Sequence, residues 1–149
     1  MAQKKEIVPI DHKRIGYDDF RKNFYLECKE LQDLTEKQVE RLREELGHIK
    51  IRGRDCPRPI LSWYQAGLSD QILNLLINIK KYQQPFAIQC QCIPVIMSGR
   101  DVIGIAETGS GKTLAYALPM FRHISDQRAL REGEGPIGLI LAPTRELAQ

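Results

Sequence analysis

The run Asp101-Val102-Ile103-Gly104-Ile105-Ala106-Glu107-Thr108-Gly109-Ser110-Gly111-Lys112-Thr113 passes from β-branched residues into a glycine-rich loop that closes on Gly-Lys-Thr. Apolar residues then recur at helical spacing, with Leu114, Leu118 and Phe121 on one face, so the expected order is strand, loop, helix. That is the context a phosphate-binding loop requires. Glycines let successive backbone N–H groups point into one concavity, and the helix N-terminus adds a partial positive charge aimed at the same place. Lys112 would bring a full charge to the outer phosphates, and the Thr113 hydroxyl is placed to ligate Mg²⁺. Ala106 stands where the general pattern has its first glycine.

Working outward, Pro119 should end or kink the following helix, because it cannot donate back to Ala115. Residues 126–136, with Glu132-Gly133-Glu134-Gly135-Pro136, are a loop by composition. Ile137 to Leu141 is a continuous apolar run and reads as a strand buried on both faces. Pro143-Thr144-Arg145-Glu146-Leu147-Ala148 opens another helix. Upstream, a helix from about Ile88 to Met97 leads through Ser98-Gly99-Arg100-Asp101 into the loop's strand. A further helix from Ser69 carries the stripe Ile72, Leu73, Leu76 and Ile79, and Tyr82-Gln83-Gln84-Pro85 separates the two. Helices alternating with strands predict a parallel sheet with helices on its faces.

The first third is different. Thr35 followed by Gln38 forms a capping box, Val39, Leu42 and Leu46 make a narrow apolar stripe, and Gly47 stops the helix. Ile49-Lys50-Ile51-Arg52 alternates like a short strand before Gly53 to Pro59 breaks regular structure. The cations between Lys50 and Arg58 suit a solvated linker at least as well as a nucleic-acid patch. Before Leu34 no period is sustained. Tyr17, Phe20, Phe24 and Tyr25 are the anchors of a segment that either lies on something larger or is a solvated tail with incidental aromatics.

Composition bounds the function. With 149 residues the chain can bury one real core. Residues 1–60 carry 14 basic and 12 acidic side chains and residues 61–149 carry 8 and 7, so neither part announces nucleic acid by charge. No stretch has the apolar length of a membrane span, and the Met1-Ala2-Gln3-Lys4-Lys5 start leads into no signal-like core. Cys28, Cys56, Cys90 and Cys92 fit no zinc spacing and read as free thiols in a reducing compartment; Cys90 and Cys92 point to different faces of one helix.

Three separated pieces resemble one family. Tyr82-x-x-Pro85-x-x-Ile88-Gln89 resembles the adenine-recognising Q motif of DEAD-box helicases, Ala106 to Thr113 resembles their motif I, and Pro143 to Ala148 resembles their motif Ia. Gln89 precedes Lys112 by 23 positions, room for one helix, a turn and a strand. The resemblance implies an α/β fold: a RecA-like domain over residues 60–149, a parallel sheet flanked by helices, after an irregular and helical extension over 1–59. It also implies an ATP-dependent RNA helicase using ATP and Mg²⁺. Gln89 would read the adenine edge bidentately, Tyr82 would offer a ring to the adenine face, and Trp63 would close the other side; core packing is the alternative for both rings. Ala106, Glu107, Thr108, Gly109, Ser110, Gly111, Lys112 and Thr113 would hold the phosphates. Pro143, Thr144, Arg145 and Glu146 would touch the backbone of single-stranded or short duplex RNA; a helix N-cap and a surface arginine is the alternative.

Tyr17-x-x-Phe20-x-Lys22-Asn23-Phe24-Tyr25, Arg52-Gly53-x-x-Cys56-Pro57-x-Pro59-Ile60 and Pro119 to Ile137 are similar to the spliceosomal Prp5-type branch. That similarity implies a nuclear role in pre-mRNA splicing, with spliceosomal proteins docking through Tyr17 to Tyr25. Two departures stand in the Q motif: Lys81 replaces the usual glycine and Phe86 the usual threonine. No Asp-Glu-Ala-Asp or Ser-Ala-Thr run occurs. The expectation is therefore the front part of a helicase, truncated after motif Ia and inactive alone. The competing reading is a non-catalytic nucleotide- or protein-binding module. A small-molecule kinase or GTPase is weaker, because it gives Gln89 and residues 143–148 no role.

Overall fold

The structure is a computed structural model that describes residues 9–148. Residues 1–8 and 149, at the ends of the two expected units, lie outside the described residues. Among the described residues six α-helices follow in order: α1 (Lys29–Gln32), α2 (Glu36–Glu45), α3 (Asp70–Asn74), α4 (Ala87–Met97), α5 (Lys112–Asp126) and α6 (Arg145–Ala148).

Helix α4 is the hub. Gln89 to Val95 and Met97 are all buried, so no polar face remains on it. Ile93, Cys90 and Met97 join Tyr25, Leu31, Ile60, Trp63, Leu76 and Leu118 in one core, to which nearly every element contributes. Pro94, inside α4, cannot donate to the carbonyl of Cys90. That carbonyl instead accepts from Ile60 N at 2.9 Å, which ties the linker to the middle of the helix. Cys90 and Cys92 do face apart: Cys90 sits in the core, its thiol pushed up to about 11 by burial, while Cys92 lies against Gly104. All four thiols are free.

The expected helices form, with two changes of detail. α2 starts at Thr35 with both halves of the capping box made, and Val39 is its buried residue. After Asn74 the chain widens into a π turn over Leu75–Ile79, in which Lys80 N reaches back to Leu75 O at 2.8 Å. The extra residue per turn rotates the stripe, so Leu76 is buried and Ile79 is exposed. Pro119 does not end α5, which continues to Asp126 with Leu118 and Pro119 buried. Packing compensates there for one lost backbone bond.

The sheet is the main correction. Among the described residues there is no strand: 49–52, 101–106 and 137–141 form no ladder and no helix. The last two still touch a helix at a glycine. Gly104 lies within 3.3 Å (counting from a built Cβ) of Ile88 on α4, while Ile103 and Ile105 point away at 92% and 91% exposure. Gly138 lies against Met120 and Ile124 of α5, while Leu139 and Leu141 face out. A strand needs neighbours to take its N–H and C=O groups, and no backbone–backbone hydrogen bond involves 101–106 or 137–141 among the described residues. The run at 137–141 is thus half-covered at Ile137 and Gly138 and exposed at Leu139, Ile140 and Leu141, not buried on both faces.

The lead-in lies on the body from Phe24 onward. Phe24 N and Tyr25 N both donate to Met97 O, at 2.7 and 3.1 Å. Phe24 meets the His123 ring edge-on and is flanked by the Arg21 and Arg122 guanidinium groups. Gly99 allows the approach, since a Cβ there would collide with Lys22. Arg128 bridges Asp18 and Glu134, and the same bridge holds the Glu134 carboxyl down to about 2. Tyr17 and Phe20 remain exposed.

Because α2 buries one side chain only, Val39→Ala should destabilise the protein by about 2 kcal/mol, whereas the exposed Glu40→Ala should stay within about 0.5 kcal/mol. Urea midpoints at constant m-value measure both.

Candidate nucleotide-binding site

The glycine-rich loop before α5 forms without a strand leading into it. Gly109 and Gly111 have φ of +81° and +83°, a region that L side chains disfavour. At Gly111 space forbids a side chain as well, since a Cβ would collide with Gln89 Nε2 and lie 2.9 Å from Phe86 Cδ2. Gly111 is also the N-cap of α5 and supplies no side-chain cap. The first amides of α5 are therefore available to an anion. Lys112 Nζ folds back over the loop, donating to Ala106 O at 2.7 Å and Glu107 O at 2.5 Å.

The residues present fit a phosphate chain. Ser110 Oγ is buried with no hydrogen-bond partner, and polar groups are seldom left so unless a ligand or water completes them. Lys112 supplies the cation, and Thr113 is exposed at the first turn of the helix. For Mg²⁺ the chain offers the Thr113 hydroxyl; no group of three or more His, Cys, Asp or Glu able to hold a metal occurs among the described residues.

Gln89 joins this loop to α4. Its Oε1 accepts from Phe86 N at 2.8 Å and its Nε2 donates to Gly111 O at 2.9 Å. Both Q-motif departures have a local explanation. Phe86 is the N-cap residue of α4 and offers no side-chain cap, while its own N–H donates to Gln89 Oε1. Lys81 has φ +59°, the left-handed conformation that glycine takes without strain. Tyr82 is half-exposed, with its backbone held by Leu76 O and Trp63 Nε1. Trp63 is 2% exposed and belongs to the core, where its Nε1 donates to Tyr82 O at 2.9 Å. No Trp63 ring face is offered to a base in this structure; the indole fixes the backbone that carries Tyr82. Phe86, an exposed aromatic whose ring adjoins Gly111, was not among the expected site residues. An apolar residue at an N-cap position was the signal for it.

Pro143, Thr144, Arg145 and Glu146 form a separate exposed group at the start of α6. The Glu146 carboxyl is held below its usual range by its own backbone N–H and then by the Thr144 hydroxyl.

With that geometry in hand, known proteins agree with it. Residues 86–149 match the DEAD/DEAH box helicase family model. The chain is 56% identical over 147 residues to the pre-mRNA-processing ATP-dependent RNA helicase prp11 of Schizosaccharomyces pombe, covering 99% of this chain and 14% of that protein. It is 56% identical over 148 residues to the probable ATP-dependent RNA helicase DDX46 of Homo sapiens, covering 98% and 14%. The chain thus spans about a seventh of the length of these relatives. Among solved structures, the yeast DEAD-box splicing factor Prp28 superposes with TM-score 0.72 at 32% identity, over 78% of this chain and 27% of that one. The RNA helicase Prp28 from Chaetomium thermophilum, bound to ADP, gives 0.70 at 37% identity, over 83% and 30%. A glycine-rich loop locked to a glutamine-bearing helix, and relatives of this kind along the whole sequence, lead to one conclusion: the chain belongs to the DEAD-box helicase family.

Proposed function

We propose that this chain is the nucleotide-reading front of an ATP-dependent RNA helicase that remodels RNA or ribonucleoprotein in pre-mRNA splicing. The observation that carries the proposal is the Gln89 bridge to Gly111 O, which puts a base-reading amide and a phosphate loop in one unit. A glutamine amide has two donor hydrogens and two acceptor lone pairs on its oxygen. One donor goes to Gly111 and one lone pair to Phe86, so one of each is left, the pair an adenine edge requires. Gln89 is 1% exposed, so the base reaches it as the exposed Phe86 ring swings aside. Tyr82 then covers the base, held by Trp63 from beneath.

Lys112 exchanges its two loop carbonyls for phosphate oxygens, a gain of charge complementarity over neutral acceptors. Mg²⁺ would neutralise phosphate charge, with Thr113 as its protein ligand. Thr144 and Arg145 contact the RNA sugar-phosphate backbone without reading sequence. In a longer polypeptide, residues 101–106 and 137–141 become strands of a RecA-like parallel sheet, since their outward apolar rows and free backbone groups suit strand neighbours on either side. Tyr17 and Phe20, left exposed, dock spliceosomal proteins, and the protein works in the nucleus. Relatives named for pre-mRNA processing support these assignments. The exposure of Tyr17 and Phe20 also suits a non-catalytic docking module, the second reading.

ATP should displace a fluorescent ATP analogue from the whole protein at least about 10-fold better than GTP, because guanine leaves buried polar groups of the amide unpaired. Gln89→Ala should erase that preference; equal competition by GTP against the unaltered protein would refute the adenine assignment. The 149-residue chain alone should release phosphate no faster than its Lys112→Ala variant, with saturating RNA and Mg²⁺. Loop and helix dipole bind phosphates, but hydrolysis also needs a placed water and charge stabilisation at the γ-phosphate. Turnover above the variant would show that a residue of this chain positions that water.

A further inference from the structure

Helix α4 is gripped on two opposite faces, and only one of them has a nucleotide role above. Gln89 and Gln91 are two residues apart, about 200° around a helix of 3.6 residues per turn, so their amides leave α4 in opposite directions. Gln89 goes to the phosphate loop. Gln91, buried to 5% exposure, turns to the extension. Its Nε2 donates to Pro57 O at 2.8 Å, and its Oε1 accepts from Arg43 Nε at 3.0 Å. Arg43 Nη2 donates to the same Pro57 O at 3.5 Å, so α2, the linker and α4 share one closed network. Gly47 completes the fit at the end of α2: a Cβ there would sit 3.5 Å from that of Ala87, the first residue of α4.

The geometry points to Arg43 as a positioning residue for nucleotide binding: through Gln91 it seats the extension against α4 and thereby sets where Gln89 meets the phosphate loop. This rests on the nucleotide reading given above. Arg43 is the one side-chain donor to Gln91 Oε1 among the described residues. Without it a buried acceptor is left unsatisfied in a low-dielectric interior, and the helix must shift or admit water to relieve it. Gln89 lies little more than half a turn away on the same rigid helix, and its two hydrogen bonds have no slack for such a shift. α2 itself buries only Val39, while the rest of the extension reaches α4 at its middle, through Ile60 N to the Cys90 carbonyl, and at its end, through Phe24 N and Tyr25 N to the Met97 carbonyl. For α2, the directional bonds of Arg43 and Gln91 therefore fix its placement on α4 beyond what one buried valine does.

The test is a double-mutant cycle in the whole protein, with Arg43→Ala, Gln91→Leu and both together. KM for ATP and kcat of RNA-stimulated hydrolysis are read beside the melting temperature. Each single change should raise KM about 5-fold with kcat held within about 2-fold, and the pair should be no worse than the worse single change, as expected of two residues acting as one unit. Arg43→Lys, which keeps a donor, should recover most of the loss. KM unchanged in both single variants, even with a lowered melting temperature, would make the network merely structural and overturn the inference. Independent, multiplying effects would overturn it too. Failure of the unaltered protein to bind ATP at all would instead remove the nucleotide reading, and this inference with it.

Discussion

One carboxamide holds the site together. Gln89 is buried, and a buried amide must find partners or cost free energy. It finds them in Phe86 N, at the open end of its own helix, and in Gly111 O, at the close of the phosphate loop. The approach is so close that residue 111 can carry no side chain, and its φ of +83° imposes the same restriction independently. Helix α4 and the glycine-rich loop are thus joined directly by one hydrogen bond, and under the proposed nucleotide reading that link is preorganisation that favours binding.

The same helix is held on its other sides by what precedes it. Pro94 removes a donor from the helix ladder, and Ile60 N takes the freed Cys90 carbonyl. Phe24 and Tyr25 share the Met97 carbonyl at the far end. Gln91 takes Arg43 and Pro57. The extension is therefore no passive tail. From Phe24 to Ile60 it surrounds α4, while Tyr17 and Phe20 stay free at the surface.

What could be read from sequence was what is fixed locally. The capping box of Thr35 and Gln38, the stop at Gly47, the helix after Lys112 and the glycines of the loop depend on residues a few positions apart, and each formed as expected. Sheet pairing depends on partners far along the chain. The β-branched run at 102–105 and the continuous apolar run at 137–141 were legible as strand candidates, yet their backbone groups have no neighbour among the described residues. Trp63 was misleading for a related reason. The resemblance offered Trp63 as a cover for the base with core packing as the alternative, and only the three-dimensional packing shows the indole beneath the Tyr82 backbone with its ring in the core. The π turn at Leu75–Ile79 was invisible, because one extra residue per turn leaves no mark in an apolar stripe.

The central claim is that the loop and α4 respond to nucleotide as a unit. Amide hydrogen exchange of the whole protein, with and without ADP and Mg²⁺, tests it most directly. The account predicts that residues 107–114 and residues 86–91 gain protection together, and that Gln89→Ala uncouples the two. Protection confined to 107–114, with 86–91 unchanged in the unaltered protein, would contradict it.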